Sequence, residues 1–324
     1  MMVDVVVVGG GPAGLTAALY TARRSLRTLI ISKDLGGQAA TTSVIENYPG
    51  VGAIDGLELM KKFRDQAVQY GAEFVLGEVR GIRKLENGNF ALTYNAKTVE
   101  ARAIILAFGL TPRSLNVPGE AELTGQGVIY SAAAGLDQLR NKAVVVIGGG
   151  NSAIEAVNIL AAVAKQVYLV HRRDRFRAEE ILLRKLETHS NVTKCLNAQV
   201  TAVQGESAVT EVTVEYSDKH TEQIKVEAVC INIGFMSKTG FVEQLVDLSD
   251  KREIIIQSDG STKTVGIFAA GDITTGRQKQ VVVSAGEGCK AALACYTYLM
   301  TQAGKPVTID QDWQVAASEH FIRT

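Results

Sequence analysis

At 324 residues the chain is too long for one ordinary core and suits two domains. Hydrophobic residues form 46% of it and charged residues 21%, with Lys plus Arg equal to Asp plus Glu at 34 each. That balance supports a packed globular protein and excludes a global field that would draw nucleic acid or an anionic membrane. No apolar run reaches the roughly 18 residues of a membrane span, and Asp4 interrupts any leader at the amino terminus, so a cytoplasmic location is expected.

The first predicted element is the apolar run Val3 to Val8, which ends in Gly9, Gly10, Gly11, Pro12, Ala13, Gly14. A helical pattern follows to about Arg24, then a strand over Thr28–Ile31, the length of one βαβ unit. The same plan returns at Ala143–Ile147, with Gly148, Gly149, Gly150, Asn151, Ser152, Ala153, a helix to about Ala164 and a strand over Val167–Val170. A constant offset of 139 residues relates Gly9 to Gly148, Gly11 to Gly150, Gly14 to Ala153 and Ser32 to His171.

A lone GxGxxG is weak evidence, but here each copy sits between a predicted strand and a predicted helix. The first glycine permits the tight turn and the second lets backbone amides approach a pyrophosphate. The third position, glycine or alanine, lets helix and strand pack closely. Two such units imply two dinucleotides.

Past the second copy's last strand comes His171, Arg172, Arg173, Asp174, Arg175, Phe176, Arg177. An acid here would hold a ribose 2′-hydroxyl, whereas arginines suit a 2′-phosphate through charge-assisted, often bidentate bonds. NADPH is therefore expected in preference to NADH. The first copy has Ser32 at the equivalent place, which does not name its nucleotide.

The carboxyl-terminal part names it. Gly266 to Asp272 reads as a buried strand ending in Gly271-Asp272, and such an aspartate can bond the ribityl hydroxyls of a flavin. A helix from about Gln280 through Gly286 to about Leu299 would turn its positive end toward the flavin pyrimidine.

The four cysteines, Cys195, Cys230, Cys289 and Cys295, make neither a CxxC nor a zinc spacing, so no metal is expected. Cys289 and Cys295 fall on one predicted helix about 9 Å apart along the axis, beyond the roughly 7 Å that a disulfide spans. Reduced, structural thiols are the reading.

Together these residues resemble the low-molecular-weight thioredoxin reductases over nearly the whole chain. The similar segments are Gly9–Gly14, Gly36-Gly37-Gln38 on to Ile45-Glu46-Asn47-Tyr48-Pro49-Gly50, Gly148–Ala153, His171–Arg177, Ile233-Gly234-Phe235, and the Phe268–Asp272 stretch with Gln280. The resemblance implies an α/β fold of two Rossmann-like dinucleotide-binding domains, with the NADPH domain (117–240) inserted into a split FAD domain (1–116 and 241–324). Pro118 with Gly119, and Ser237 to Gly240, are the implied linkers. It also implies a homodimer. FAD would be held by Gly9, Gly11, Pro12, Ala13, Gly14, Gly37, Gln38, Asn47, Gly271, Asp272, Gln280 and Val281. NADPH would be held by Gly148, Gly150, Asn151, Ser152, Ala153, His171, Arg172, Arg173 and Arg177.

The chain departs from that family where the redox pair should be. In place of CxxC followed by Asp it reads Ser131, Ala132, Ala133, Ala134, Gly135, and neither serine nor alanine can perform thiol exchange. A related branch, the thioredoxin-reductase-like ferredoxin or flavodoxin NADP reductases, also lacks CxxC and carries a carboxyl-terminal extension. This chain likewise continues over Lys305 to Thr324, where an aromatic among Trp313, His320 and Phe321 is a candidate shield for the flavin ring.

The leading expectation is an NADPH-dependent flavin oxidoreductase delivering electrons to an external acceptor, with a small redox-carrier protein as a candidate partner. Two alternatives stand beside it. One is a disulfide reductase using a non-standard thiol or donor. The other is a non-enzymatic flavin-binding regulator.

Overall fold

The structure, a computed structural model, describes residues 2–42 and 44–307. These divide into two compact units, one formed by 2–40, 44–110 and 237–307, the other by 41–42 and 111–236.

The first unit opens with β1 (Met2–Val8), α1 (Pro12–Arg23), β2 (Thr28–Ser32), α2 (Gly37–Ala40), α3 (Gly56–Gln69) and β3 (Glu73–Leu76). It continues through β4 (Val79–Lys84), β5 (Phe90–Tyr94) and β6 (Lys97–Leu106). The second unit holds β7 (Thr111–Pro112), β8 (Val128–Ile129), a 3-10 helix (Ala133–Leu139), β9 (Ala143–Ile147), α4 (Asn151–Leu160), β10 (Gln166–His171) and α5 (Glu180–Leu186). Then come β11 (Val192–Leu196), β12 (Ala198–Gln204), β13 (Glu211–Tyr216), β14 (Thr221–Lys225), β15 (Ala228–Ile231) and β16 (Phe235–Met236). The chain returns to the first unit for β17 (Ile267–Ala269) and α6 (Val281–Gln302).

In the first unit the sheet runs β3-β2-β1-β6-β5-β4, with β17 also paired to β6. The strands β3, β2, β1, β6 and β17 are parallel, and β5 and β4 extend the edge antiparallel. Strand β1 is apolar on both faces because both are covered. Val5 and Val7 enter one core with Leu15, Ala18 and Ala292, while Val6 and Val8 enter another with Phe90, Leu92 and Ile254.

Helices α1 and α6 lie against each other at backbone distance. A Cβ built on Gly288 would sit 2.1 Å from the carbonyl oxygen of Ala13. Gly288→Val is therefore expected to destabilise this unit by about 3 kcal/mol or more, read as a lowered unfolding midpoint and poor FAD retention. A wild-type midpoint would show that the helices separate freely.

The second unit carries a parallel sheet in the order β11-β10-β9-β15-β8 and a separate antiparallel sheet β12-β13-β14. The even-numbered residues Val144 and Val146 of β9 pack under α4 with Ile154, Val157 and Leu160. The odd-numbered Val145 and Ile147 face the core shared with Val200, Val212 and Val214 of the antiparallel sheet.

Three expectations shift in detail. The helix anticipated to about Ala164 ends at Leu160, because Asn191 Nδ2 donates to the carbonyls of Ala161 (3.0 Å) and Ala164 (3.1 Å), and Asn141 N–H to Val163 (2.9 Å). The unit boundaries fall between Leu110 and Thr111 and between Met236 and Ser237, rather than at 117 and 241. Pro118 and Gly119 are packed within the second unit instead of linking the two. The Pro118 carbonyl accepts from Val203 N–H at 2.9 Å, and a Cβ on Gly119 would collide with the Val203 carbonyl.

Ser237 and Thr239 are likewise buried, in the first unit, with Thr239 Oγ1 donating to the Arg252 carbonyl at 3.3 Å. No helix among the described residues is long and apolar enough to cross a membrane, and no metal-type cluster occurs among them. Trp313, His320 and Phe321 lie outside the described residues.

Candidate functional site

In the first unit the turn after β1 brings Gly9, Gly10 and Gly11 to the start of α1. Pro12 is the first helical residue, and the N-cap Gly11 supplies no side-chain cap. The helix end is thus left open to an anion, as a dinucleotide pyrophosphate requires. Gly14 fits the packing role expected of it, since a Cβ there would lie 2.0 Å from the Gly9 carbonyl oxygen.

The Ser32 side chain has a specific task. Buried at the end of β2, it accepts the Gly10 N–H at 2.8 Å, and Gly36 N–H in turn donates to the Gly10 carbonyl at 2.7 Å. A serine thus occupies the end of the strand, and its oxygen holds the glycine turn.

Further along, Gly37 N–H donates to Asp34 Oδ1 (2.9 Å) and Gln38 Nε2 to the Leu110 carbonyl (3.2 Å). Asn47 Nδ2 donates to Gln280 Oε1 at 3.0 Å, joining two predicted flavin residues that stand 233 positions apart. Gln280 is the N-cap of α6 and makes no side-chain cap bond there. That leaves the amino-terminal end of α6 free, with Val281 as its first residue.

The Gly271-Asp272 corner is built by residues that sequence reading missed. Gly271 N–H donates to Glu287 Oε2 (2.7 Å), and Thr274 Oγ1 donates to the Gly271 carbonyl (2.9 Å). Lys279 Nζ donates to the carbonyls of Asp272 (2.8 Å) and Thr274 (2.7 Å) and pairs with Glu253 at 3.3 Å. Burial pushes the Asp272 carboxyl above the usual carboxylate range, opposed by the Ser284 hydroxyl donating to its Oδ1 at 3.1 Å and by the nearby Lys279 charge. These groups fit FAD: an uncapped helix start, a serine-braced glycine turn and a carboxylate fixed by its neighbours.

In the second unit Gly148, Gly149 and Gly150 connect β9 to α4, and Gly150 is again an N-cap without a side-chain bond. Ala153 is fully buried under the sheet, as its place in the motif requires, and Ser152 is exposed. The His171 ring lies directly on Gly149, where a Cβ would meet ring atoms at 2.3 Å to 2.6 Å, so no other residue type fits there without moving the ring. His171 Nε2 pairs with the Arg175 carbonyl at 3.1 Å.

Arg172, Arg173 and Arg177 are exposed, and none makes an ion pair among the described residues; Arg175, by contrast, stands 4.0 Å from Asp174. Three guanidinium groups without a carboxylate partner, beside an open helix start, suit an added phosphate.

Burial and then the charges of Arg173, Arg177 and Arg172 push His171 below the usual imidazole range, although its bond to Arg175 resists this. The folded chain therefore takes up the His171 proton less readily than the unfolded chain does. Stability should fall as pH drops below the unfolded value of about 6.5. The expected result is a lower unfolding midpoint at pH 5 than at pH 7, with part of that fall removed by His171→Gln. An identical pH dependence in the variant would count against the assignment.

Two uncapped glycine turns, one beside a braced aspartate and one beside an arginine loop, define a flavoprotein oxidoreductase with two Rossmann-like dinucleotide-binding domains. A family described as pyridine nucleotide-disulphide oxidoreductase matches residues 3–288, and the chain belongs to it. Thioredoxin reductase of Mycolicibacterium smegmatis is 36% identical over 303 residues, covering 92% of this chain and 97% of that protein. A Pseudomonas putida alkyl hydroperoxide reductase component is 37% identical over 305 residues. That match covers 92% of this chain but 58% of the longer relative, so the chain spans less than two thirds of it.

Among solved structures, Lactococcus lactis thioredoxin reductase superposes with a TM-score of 0.78 at 31% identity, covering 92% of this chain and 99% of that one. T. acidophilum thioredoxin reductase gives 0.76 at 34% identity, covering the same shares. The chain is an oxidoreductase of the thioredoxin reductase type, a family that binds FAD and NADPH.

Proposed function

We propose that the first unit binds FAD, the second binds NADPH, and electrons leave to an external acceptor without passing through an internal dithiol. The observation that carries this reading is the placement of the four cysteines, all among the described residues. Cys195 is on β11 and Cys230 on β15, with β10 and β9 between them. Three strand spacings amount to about 14 Å, twice what a disulfide bridges. Cys289 and Cys295 lie on α6, too far apart along its axis.

Nor are the three buried thiols activated. Burial pushes Cys230 up to about 12 and raises Cys195 and Cys295, so thiolate is scarce at the three buried positions. Ser131 Oγ donates to the Thr41 carbonyl at 3.2 Å, ahead of the 3-10 helix that carries Ala133 and Ala134. On this reading it is a structural hydroxyl.

FAD, when bound, would supply the hydride-accepting and electron-passing chemistry. The chain's own groups supply binding and orientation. The α1 amino terminus takes the FAD pyrophosphate, with Gly9, Gly11, Pro12, Ala13 and Gly14 around it. Gly37, Gln38, Asn47, Gly271, Asp272, Gln280 and Val281 position the flavin. The α4 amino terminus takes the NADPH pyrophosphate at Gly148, Gly150, Ser152 and Ala153, and Arg172, Arg173 and Arg177 take the 2′-phosphate. A homodimer and a small redox-carrier protein as acceptor belong to the same proposal.

The test is to load the protein with FAD and add NADPH without oxygen. Prompt bleaching of the flavin absorbance that survives thiol alkylation is expected. An unbleached flavin would sink the enzymatic reading, and activity lost on alkylation would restore disulfide chemistry.

A further inference from the structure

The geometry points to Asn151 and Glu179 as a two-way clasp that sets the arginine loop on the phosphate loop and thereby determines selectivity for the 2′-phosphate. This rests on the assignment of NADPH to the second unit. Asn151 Nδ2 donates to Glu179 Oε1 at 2.9 Å, and Glu179 N–H donates to Asn151 Oδ1 at 2.9 Å. Both ends of the Asn151 amide are thus engaged within the protein, and the side chain expected to touch nucleotide is a positioning group instead.

The clasp closes one end of a bridge. Its other end is the His171 ring seated on Gly149, and its middle is pinned by Arg177 N–H donating to the Gly149 carbonyl at 2.7 Å. His171 also takes hold of the Arg175 carbonyl and lies 5.4 Å, ring to ring, from Phe176. The segment 172–178, which carries all the arginines of the loop, is therefore suspended between anchors on Gly149 and Asn151. Those two residues flank Gly150, the N-cap of α4.

The pyrophosphate-binding turn and the guanidinium groups consequently have a fixed relation before any nucleotide arrives. Long arginine side chains on an unanchored loop would lose more freedom on binding a phosphate, and holding the backbone in advance reduces that cost. Glu179 itself is exposed and occupies the N-cap position of α5 without a side-chain cap bond, so its carboxylate has no helix-capping duty to explain it. Its carboxylate sits close in sequence to the arginines, yet it is spent on the Asn151 amide.

The test uses the purified holoenzyme and two probes by calorimetry, adenosine 2′,5′-bisphosphate and 5′-ADP. Glu179→Ala removes one bond of the clasp and Asn151→Ala removes both. Roughly tenfold weaker binding of the 2′,5′-bisphosphate is expected, greater for Asn151→Ala, while 5′-ADP affinity and FAD content stay close to wild type. Glu179→Gln keeps an oxygen to accept from Asn151, so it should bind as wild type does.

If the alanine variants bind the bisphosphate as wild type does, or lose 5′-ADP in parallel, the clasp has no role in selectivity. Glu179→Gln weakening as much as Glu179→Ala, or both tightening, would show a charge effect and overturn the clasp. The NADPH assignment fails separately, in the unaltered protein, if it binds the two probes equally.

Discussion

A protein carrying Arg172→Ala and Arg173→Ala is expected to lose most of a roughly hundredfold preference for NADPH over NADH, while its use of NADH stays nearly unchanged. Two arginine-to-phosphate bonds are worth about 1.5 to 3 kcal/mol each, and arginine desolvation leaves about 3 to 4 kcal/mol in total. At about 1.4 kcal/mol per decade this gives a factor of a hundred or more. Both groups are exposed and make no ion pair among the described residues, so removing them leaves no buried charge without a partner. The loss should therefore appear in KM for NADPH and not in folding. Steady-state rates with each nucleotide measure it, and equal use of both by the unaltered protein would refute the assignment.

The second large effect is an absence. Thioredoxin supplied with NADPH should show no disulfide reduction above background, because Ser131 and Ala134 cannot form a mixed disulfide and the cysteine pair within each unit cannot meet. Thiol exchange needs an attacking thiolate and a resolving thiol within about 7 Å between Cα atoms, and the separations along α6 and across the parallel sheet exceed that. Ser131→Cys with Ala134→Cys is expected to leave the rate low even so, since Gly135 offers no acid to protonate the leaving thiolate. Thioredoxin reduction by the unaltered protein that is abolished by alkylation would place the reactive loop elsewhere.

Glycine turns and strand periodicity are local signals, and they make much of the architecture legible in the sequence. The offset between Gly9 and Gly148 marks two strand-turn-helix units, and both occur at the expected places, α1 over Pro12–Arg23 and α4 from Asn151. The arginine loop is legible for the same reason, since it follows directly on β10. Where a segment's end depends on a distant partner, the local signal fails. Helix α4 stops at Leu160 because Asn191, thirty residues away, takes the Ala161 carbonyl. Pro118 and Gly119 have the composition of a linker but are fastened to Val203 of β12.

What the sequence by itself determined is the pair of Rossmann units and the absence of a CxxC, because each is written in contiguous residues. What only the tertiary structure decided is how those sites are braced. Ser32 reaches Gly10, Glu287 reaches Gly271, Lys279 reaches the Asp272 carbonyl, Asn47 meets Gln280 and Asn151 clasps Glu179. Most of these bonds join elements that sheet order and helix packing bring together, and hydrogen bonding demands an oriented partner within about 3 Å, whatever the distance along the chain.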